Sequence, residues 1–182
     1  LGPSGCGKST LLKAIAGFLK PVEGAITLKG KAVAEPGPDR MMVFQEFDQL
    51  LPWKTVRQNI MFPMTENGVP KAEAEERARA VIAQVNLTDF VDAYPHMLSG
   101  GQRKRVGLAQ VLIRDPKILL MDEPFGPLDA QTRQIMGNLL LDLWSADRKS
   151  VLFITHDLEE AIALSDRVVV LSAGPATRPI GE

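Results

Sequence analysis

This 182-residue chain has one cysteine, almost no surplus of either charge, no long apolar run and no repeat. Each scarcity removes a class of protein. A lone cysteine, Cys6, excludes an internal disulfide framework and fits a reducing compartment. A formal net charge of −1 gives no support for a basic nucleic-acid surface. The apolar runs, Ile118–Met121 and Val168–Leu171 among them, are strand-sized, so any membrane role is expected to come through a partner. No low-complexity tract or linker divides the chain. What is present in quantity is ordinary: 45% hydrophobic residues, the usual globular share, in a length that suits one domain with a real core.

Periodicity then supplies a coarse layout. Ser9–Ala16 reads as a helix stopped near Gly17, and Ala25–Leu28 as a short strand leading to a turn at Gly30. Met41–Phe44 is a buried-type strand after the Pro36-Gly37-Pro38 loop. Lys71–Val85 carries Ala78, Val81, Ile82 and Val85 on one helical face, and a further short helix ends before Pro95. Ser99 can cap a helix running to about Ile113. Lys117–Met121 follows as an apolar strand, Asp129–Trp144 as a helix and Val151–Thr155 as a strand. Asp157 and Glu160 fit a capping box that opens another helix, and Val168–Leu171 is a last strand. Strands and helices alternate at both ends while the middle is helical, which implies a parallel α/β core with a helical insertion.

Two motifs carry chemistry, the second by virtue of the first. Gly2-Pro3-Ser4-Gly5-Cys6-Gly7-Lys8-Ser9 matches G-x-x-x-x-G-K-[ST]. Glycines let successive N–H groups face one anion, the following helix adds a positive dipole end, Lys8 can reach terminal phosphates and the Ser9 hydroxyl can bind Mg²⁺. The chance rate of such a match is on the order of 10⁻⁵ per position. The second motif, Ile118-Leu119-Leu120-Met121-Asp122-Glu123, places two carboxylates at the end of an apolar strand. Beside a phosphate loop, Asp122 is expected to hold Mg²⁺ and Glu123 to polarise an attacking water as general base.

Leu98-Ser99-Gly100-Gly101-Gln102 precedes an apolar-periodic helix and can form a second anion site at that helix start. With this motif the whole chain resembles the ATP-binding domains of ABC proteins, whose signature sequence is LSGGQ. The resemblance implies a P-loop NTPase (RecA-like) parallel-sheet core with an inserted helical subdomain. The core is expected at 1–45 and 114–182, with the helical subdomain at 46–113. It implies ATP and Mg²⁺ as cofactors. The nucleotide site would comprise Gly2, Pro3, Ser4, Gly5, Cys6, Gly7, Lys8, Ser9 and Thr10, completed by Ser99, Gly100, Gly101, Gln102 and Asp129. Gln45 resembles the Q-loop glutamine, which senses Mg²⁺ and the attacking water. Ser9, Gln45 and Asp122 would be the metal ligands. Asp129 resembles the D-loop aspartate, and His156 the switch histidine that contacts the γ-phosphate. Glu123, His156 and Gln45 would form the catalytic set. Two such domains are expected to stack head to tail, the phosphate loop of one facing the signature of the other.

Narrower runs, Pro38-Asp39-Arg40, Val43-Phe44-Gln45-Glu46, Leu50-Leu51-Pro52-Trp53-Lys54-Thr55-Val56 and Glu123-Pro124-Phe125-Gly126, resemble the nitrate/sulfonate/taurine-type importers. That implies permease subunits and, indirectly, a substrate-binding protein as partners, no nucleic acid, and a peripheral position on the cytoplasmic face of the plasma membrane. The Leu50–Trp53 run reads either as local loop packing or as a contact for the permease. A soluble non-transport ABC ATPase and import of another small solute are the alternatives. The chain opens at Leu1 inside its own phosphate loop, without the strands and adenine-stacking aromatic that the family places before it. It also stops soon after the last strand, so it is expected to be incomplete at the N-terminus and at the C-terminus, and the isolated piece to aggregate and bind ATP poorly. Pro127 stands in the D-loop where a small residue is more common. Cys6, at a helix N-terminus, reads either as a loop filler or as a thiol with lowered pKa.

Overall fold

In the computed structural model the described residues are 1–44, 50–172 and the backbone of 179–181. Three parallel strands form the central sheet: β3 (Arg40–Val43), β4 (Ile118–Asp122) and β5 (Ser150–Ile154), in the order β3-β4-β5. The register pairs Val43 with Met121 and Asp122 with Ile154, so the strands end together and their C-terminal residues share one rim. A small antiparallel hairpin, β1 (Thr27–Leu28) and β2 (Lys31–Ala32), precedes the sheet. A second antiparallel pair, β6 (Val170–Leu171) and β7 (Pro179–Gly181), follows it.

The two-residue period of β4 buries both faces, as a parallel sheet requires. Leu120, with Met42 and Ile154, packs beneath Leu12 and Ala16 of α1 (Lys8–Ala16). Leu119 and Met121 face the larger core, which includes Val43, Phe125 and Met136. That core continues among α2 (Val56–Thr65), α3 (Lys71–Gln84) and α4 (Gly100–Leu112), helices that follow β3 and precede β4 in the chain. α5 (Ala130–Ala146) and α6 (Leu158–Leu164) are the remaining α-helices among the described residues, and Asp129 and Asp157 cap their starts.

Most elements match the sequence reading, with ends moved by a residue or two. Four differ. α2 was not among the expected elements, and Pro63 lies inside it; a proline in a helix interior normally breaks it. The short helix before Pro95 is instead two 3-10 turns, Thr88–Phe90 and Pro95–Met97. The strand β2 turns Ala25–Leu28 into a hairpin. Asp157 caps α6 through the amides of Glu159 (2.8 Å) and Glu160 (3.2 Å), but the box is not closed: the Glu160 carboxylate accepts from Thr155 Oγ1 at 2.6 Å instead. Among the described residues no helix is long and apolar enough to cross a membrane.

Candidate nucleotide site

The phosphate loop is held by its own glycines and by β6. Gly2 has φ +153, and a Cβ there would lie 2.7 Å from Cys6 Sγ and 2.8 Å from the Leu171 carbonyl. Leu1 fixes this approach: its amine donates to Val169 O at 2.8 Å and its carbonyl accepts from Leu171 N at 2.9 Å. Gly7 adopts a left-handed conformation, φ 90, at the start of α1, where a side chain would be strained. Pro3, Ser4, Gly5, Ser9 and Thr10 are exposed, whereas Cys6 and Lys8 are buried. The Lys8 ammonium donates to the carbonyls of Gly2 (2.8 Å) and Pro3 (3.0 Å), which places its charge inside the loop's concavity.

The two sequence motifs meet here. Ser9 Oγ donates to Asp122 Oδ1 at 3.0 Å, across 113 residues of chain. Asp122 is buried at the end of β4. Oxygen donors of this kind, a hydroxyl and a carboxylate, suit a hard divalent cation, so the residues fit Mg²⁺. Glu123, the next residue, leaves the strand with φ 44, a left-handed conformation rare for a residue with a side chain. Its amide donates to Ile154 O at 3.0 Å, which holds the turn against β5. Its carboxylate oxygen Oε2 lies 3.2 Å from His156 Nδ1. Together Leu1, Gly2, Pro3, Ser4, Lys8, Glu123, His156 and Leu158 line a cleft of about 520 Å³.

A second set of residues orients the histidine segment, and the sequence reading did not single most of them out. Arg133 of α5 donates to Asp157 Oδ2 at 2.9 Å and to Leu128 O at 3.1 Å, and pairs with Glu160 at 3.4 Å. Thr155, buried next to His156, accepts from the Asp157 amide at 2.9 Å. The Glu160 amide first, then the Glu159 amide and Arg133, hold the Asp157 carboxyl below its ordinary range. Arg133 lies one helical turn from Asp129, an i, i+4 spacing.

The signature residues are not part of this cleft. Ser99 caps α4 in a closed capping box: its hydroxyl accepts from Gln102 N at 3.3 Å, and its own amide donates to Gln102 Oε1 at 2.8 Å. Gly101 is buried against α5, where an added Cβ would lie 2.6 Å from Thr132 Cγ2. Asp129 is likewise a cap here, accepting from the Thr132 amide (2.9 Å) and hydroxyl (2.6 Å); the Thr132 hydroxyl is the main cause of its lowered pKa. Signature and D-loop residues therefore adjoin each other within one chain. Gln45, assigned to catalysis and metal binding from the sequence, lies outside the described residues.

The fold, a phosphate loop beneath strand-end carboxylates with a helical insertion, is that of a P-loop NTPase of the ABC type. The family model described as ABC transporter matches residues 1–126, and the chain belongs to this family. It is 53% identical over 175 residues to an uncharacterised ABC transporter ATP-binding protein of Methanocaldococcus jannaschii, covering 96% of this chain and 65% of that protein. It is 52% identical, with 96% and 66% covered, to the taurine import ATP-binding protein TauB of Rhizobium johnstonii. The chain thus spans about two thirds of the length of these relatives. Among solved structures, cbiO1 of Clostridium perfringens, part of the transporter complex cbiONQ, superposes with a TM-score of 0.85 at 30% identity, covering 94% of this chain and 70% of that one. A dimeric ATP-binding cassette in a post-hydrolysis state with ADP and Pi superposes at 0.78 with 29% identity, covering 100% and 84%.

Proposed function

We propose that this chain is the nucleotide-handling part of an ABC importer subunit that binds and hydrolyses ATP to energise uptake of a small anion of the taurine, sulfonate or nitrate type. The observation that carries the reading is the convergence of Lys8, the Ser9–Asp122 pair and the Glu123–His156 pair at one loop rim. Lys8 and the loop amides bind the phosphates. Ser9 and Asp122, with Gln45, would hold Mg²⁺, which when bound neutralises charge on the phosphate oxygens. Glu123 Oε2 accepts the proton of the attacking water, and His156 orients that carboxylate and reaches the terminal phosphate. Ser99–Gln102 lies apart from this cleft, which suits a head-to-tail pair of domains in which the signature of one closes on the ATP of the other. In that scheme 1–45 and 114–182 form the catalytic core and 46–113 the signature-bearing subdomain. The named activity of the TauB relatives supports the substrate class. Permease subunits, a substrate-binding protein acting through them, and a peripheral place on the cytoplasmic membrane face complete the reading.

The test uses the full-length protein. Glu123→Gln is expected to lower phosphate release by about 10²–10⁴-fold while trapping a nucleotide-bound dimer. Release at the wild-type rate would overturn the assignment of the base. Reconstitution with a permease and binding protein, scored for taurine against nitrate and alkanesulfonates, decides the substrate.

A further inference from the structure

Pro63 lies inside α2 and has no N–H, so the helical bond that would end on the carbonyl of Asn59, four residues back, cannot form. That carbonyl is nevertheless satisfied. Gln110 of α4, the helix that begins with the signature, donates to Asn59 O through Nε2 at 3.0 Å, and the same nitrogen lies 3.5 Å from Asn59 Oδ1. Asn59 is fully buried and its side chain is otherwise devoted to one turn. Oδ1 accepts from Leu51 N at 2.8 Å, and Nδ2 donates to the carbonyls of Leu51 (3.1 Å), Lys54 (2.9 Å) and Thr55 (3.1 Å). The tip of that turn is Trp53, whose ring is exposed.

We infer that Asn59 and Gln110 are positioning residues that lock the exposed Leu51–Lys54 turn to the signature helix α4, so that displacement of one is carried to the other. The physical reason is the cost of leaving these groups unpaired. A buried donor or acceptor stripped of its partner costs about 1–3 kcal/mol, so the turn and α4 cannot slide independently without breaking several such bonds. A second tie points the same way: Arg114, just past α4, donates to Pro63 O at 2.6 Å. The inference rests on the proposed function, because it takes Ser99–Gln102 to be pulled by a nucleotide held on a second copy of the chain.

The experiment follows Trp53 fluorescence in full-length protein carrying Glu123→Gln, with Trp53 as the sole tryptophan (Trp144 and any other replaced by Phe). Addition of ATP with Mg²⁺ is expected to shift Trp53 emission, and Gln110→Met, which keeps length and loses the donor, is expected to lose most of that shift while still dimerising on ATP. Asn59→Asp, which removes the Nδ2 donors, is the second variant and is expected to behave alike; denaturation midpoints confirm that each variant is folded. An unchanged shift in a folded, ATP-dimerised Gln110→Met protein overturns the inference and leaves the proposed function standing. So does the absence of any Trp53 shift when the parent protein dimerises. Failure of the parent to bind ATP or dimerise overturns the proposed function, and this inference with it.

Discussion

Ser9 and Asp122, one on the first turn of α1 and the other at the tip of β4, are joined by a 3.0 Å hydrogen bond from hydroxyl to carboxylate. A hydrogen bond to a charged group contributes about 1.5–3 kcal/mol, so Ser9→Ala in the full-length protein should weaken both the loop's attachment and its hold on a divalent ion. The expected result is a rise of roughly 10- to 100-fold in the Mg²⁺ concentration for half-maximal ATP hydrolysis, following from that energy. An unchanged Mg²⁺ titration would show that the pair is structural only.

Glu123 occupies a left-handed backbone conformation, φ 44, which costs about 1 kcal/mol or more for any residue with a Cβ. Glycine there avoids the strain, less its own larger entropy loss on folding. Glu123→Gly is therefore expected to be more stable than Glu123→Ala by about 0.5–1 kcal/mol, with both inactive. Denaturant midpoints of the two variants, compared directly, decide it; Ala equal to or above Gly would mean the turn relaxes when the carboxylate is gone.

Gly101 and Thr132 leave no room for a methyl group between α4 and α5, with the added Cβ only 2.6 Å from Thr132 Cγ2. Gly101→Ala should cost about 1–3 kcal/mol as an overpacked contact. Thr132→Ser removes the offending methyl yet keeps the hydroxyl that donates to Asp129 Oδ2. The double variant should recover most of the lost stability, read from denaturation midpoints. A purely additive cycle would mean that the signature glycine is needed for something other than this contact.

Lys104 lies buried in α4, with its ammonium donating to Phe44 O at 3.3 Å, and burial pushes its pKa down from 10.5 to about 8. In the unfolded chain the group binds its proton up to about pH 10.5, and in the folded chain only to about pH 8. Its burial is thus a destabilising term, present in full below pH 8 and relieved as pH rises from 8 toward 10.5. Relative to Lys104→Met, the wild type should gain stability across that window. Denaturation midpoints of the two proteins that keep a constant gap from pH 7.5 to 10 would rule this out.

The motifs were legible because their chemistry is local. A phosphate loop needs its glycines, lysine and serine within a few residues, and a strand-end carboxylate pair needs only an apolar run before it. Helix starts at Ser99, Asp129 and Asp157 were legible for the same reason, since a cap acts within three residues. α2 was not, because Pro63 argues against a helix at short range. Its acceptability depends on Gln110, 51 residues away from Asn59. Arg133 was missed as well, because its partners Asp157 and Glu160 reach it only when α5 and α6 pack.

By itself, then, the sequence determined the family, the phosphate loop, the two carboxylates and the alternation that makes a parallel sheet. All of these rest on short-range covalent spacing and on side-chain periodicity. Only the tertiary structure decided that Ser9 meets Asp122, that Glu123 is strained toward His156, and that a buried asparagine ties an exposed turn to the signature helix. Those relationships are distances between residues far apart in the chain. They are set by the register of β3, β4 and β5 and by the packing of helices around them, which no local pattern encodes.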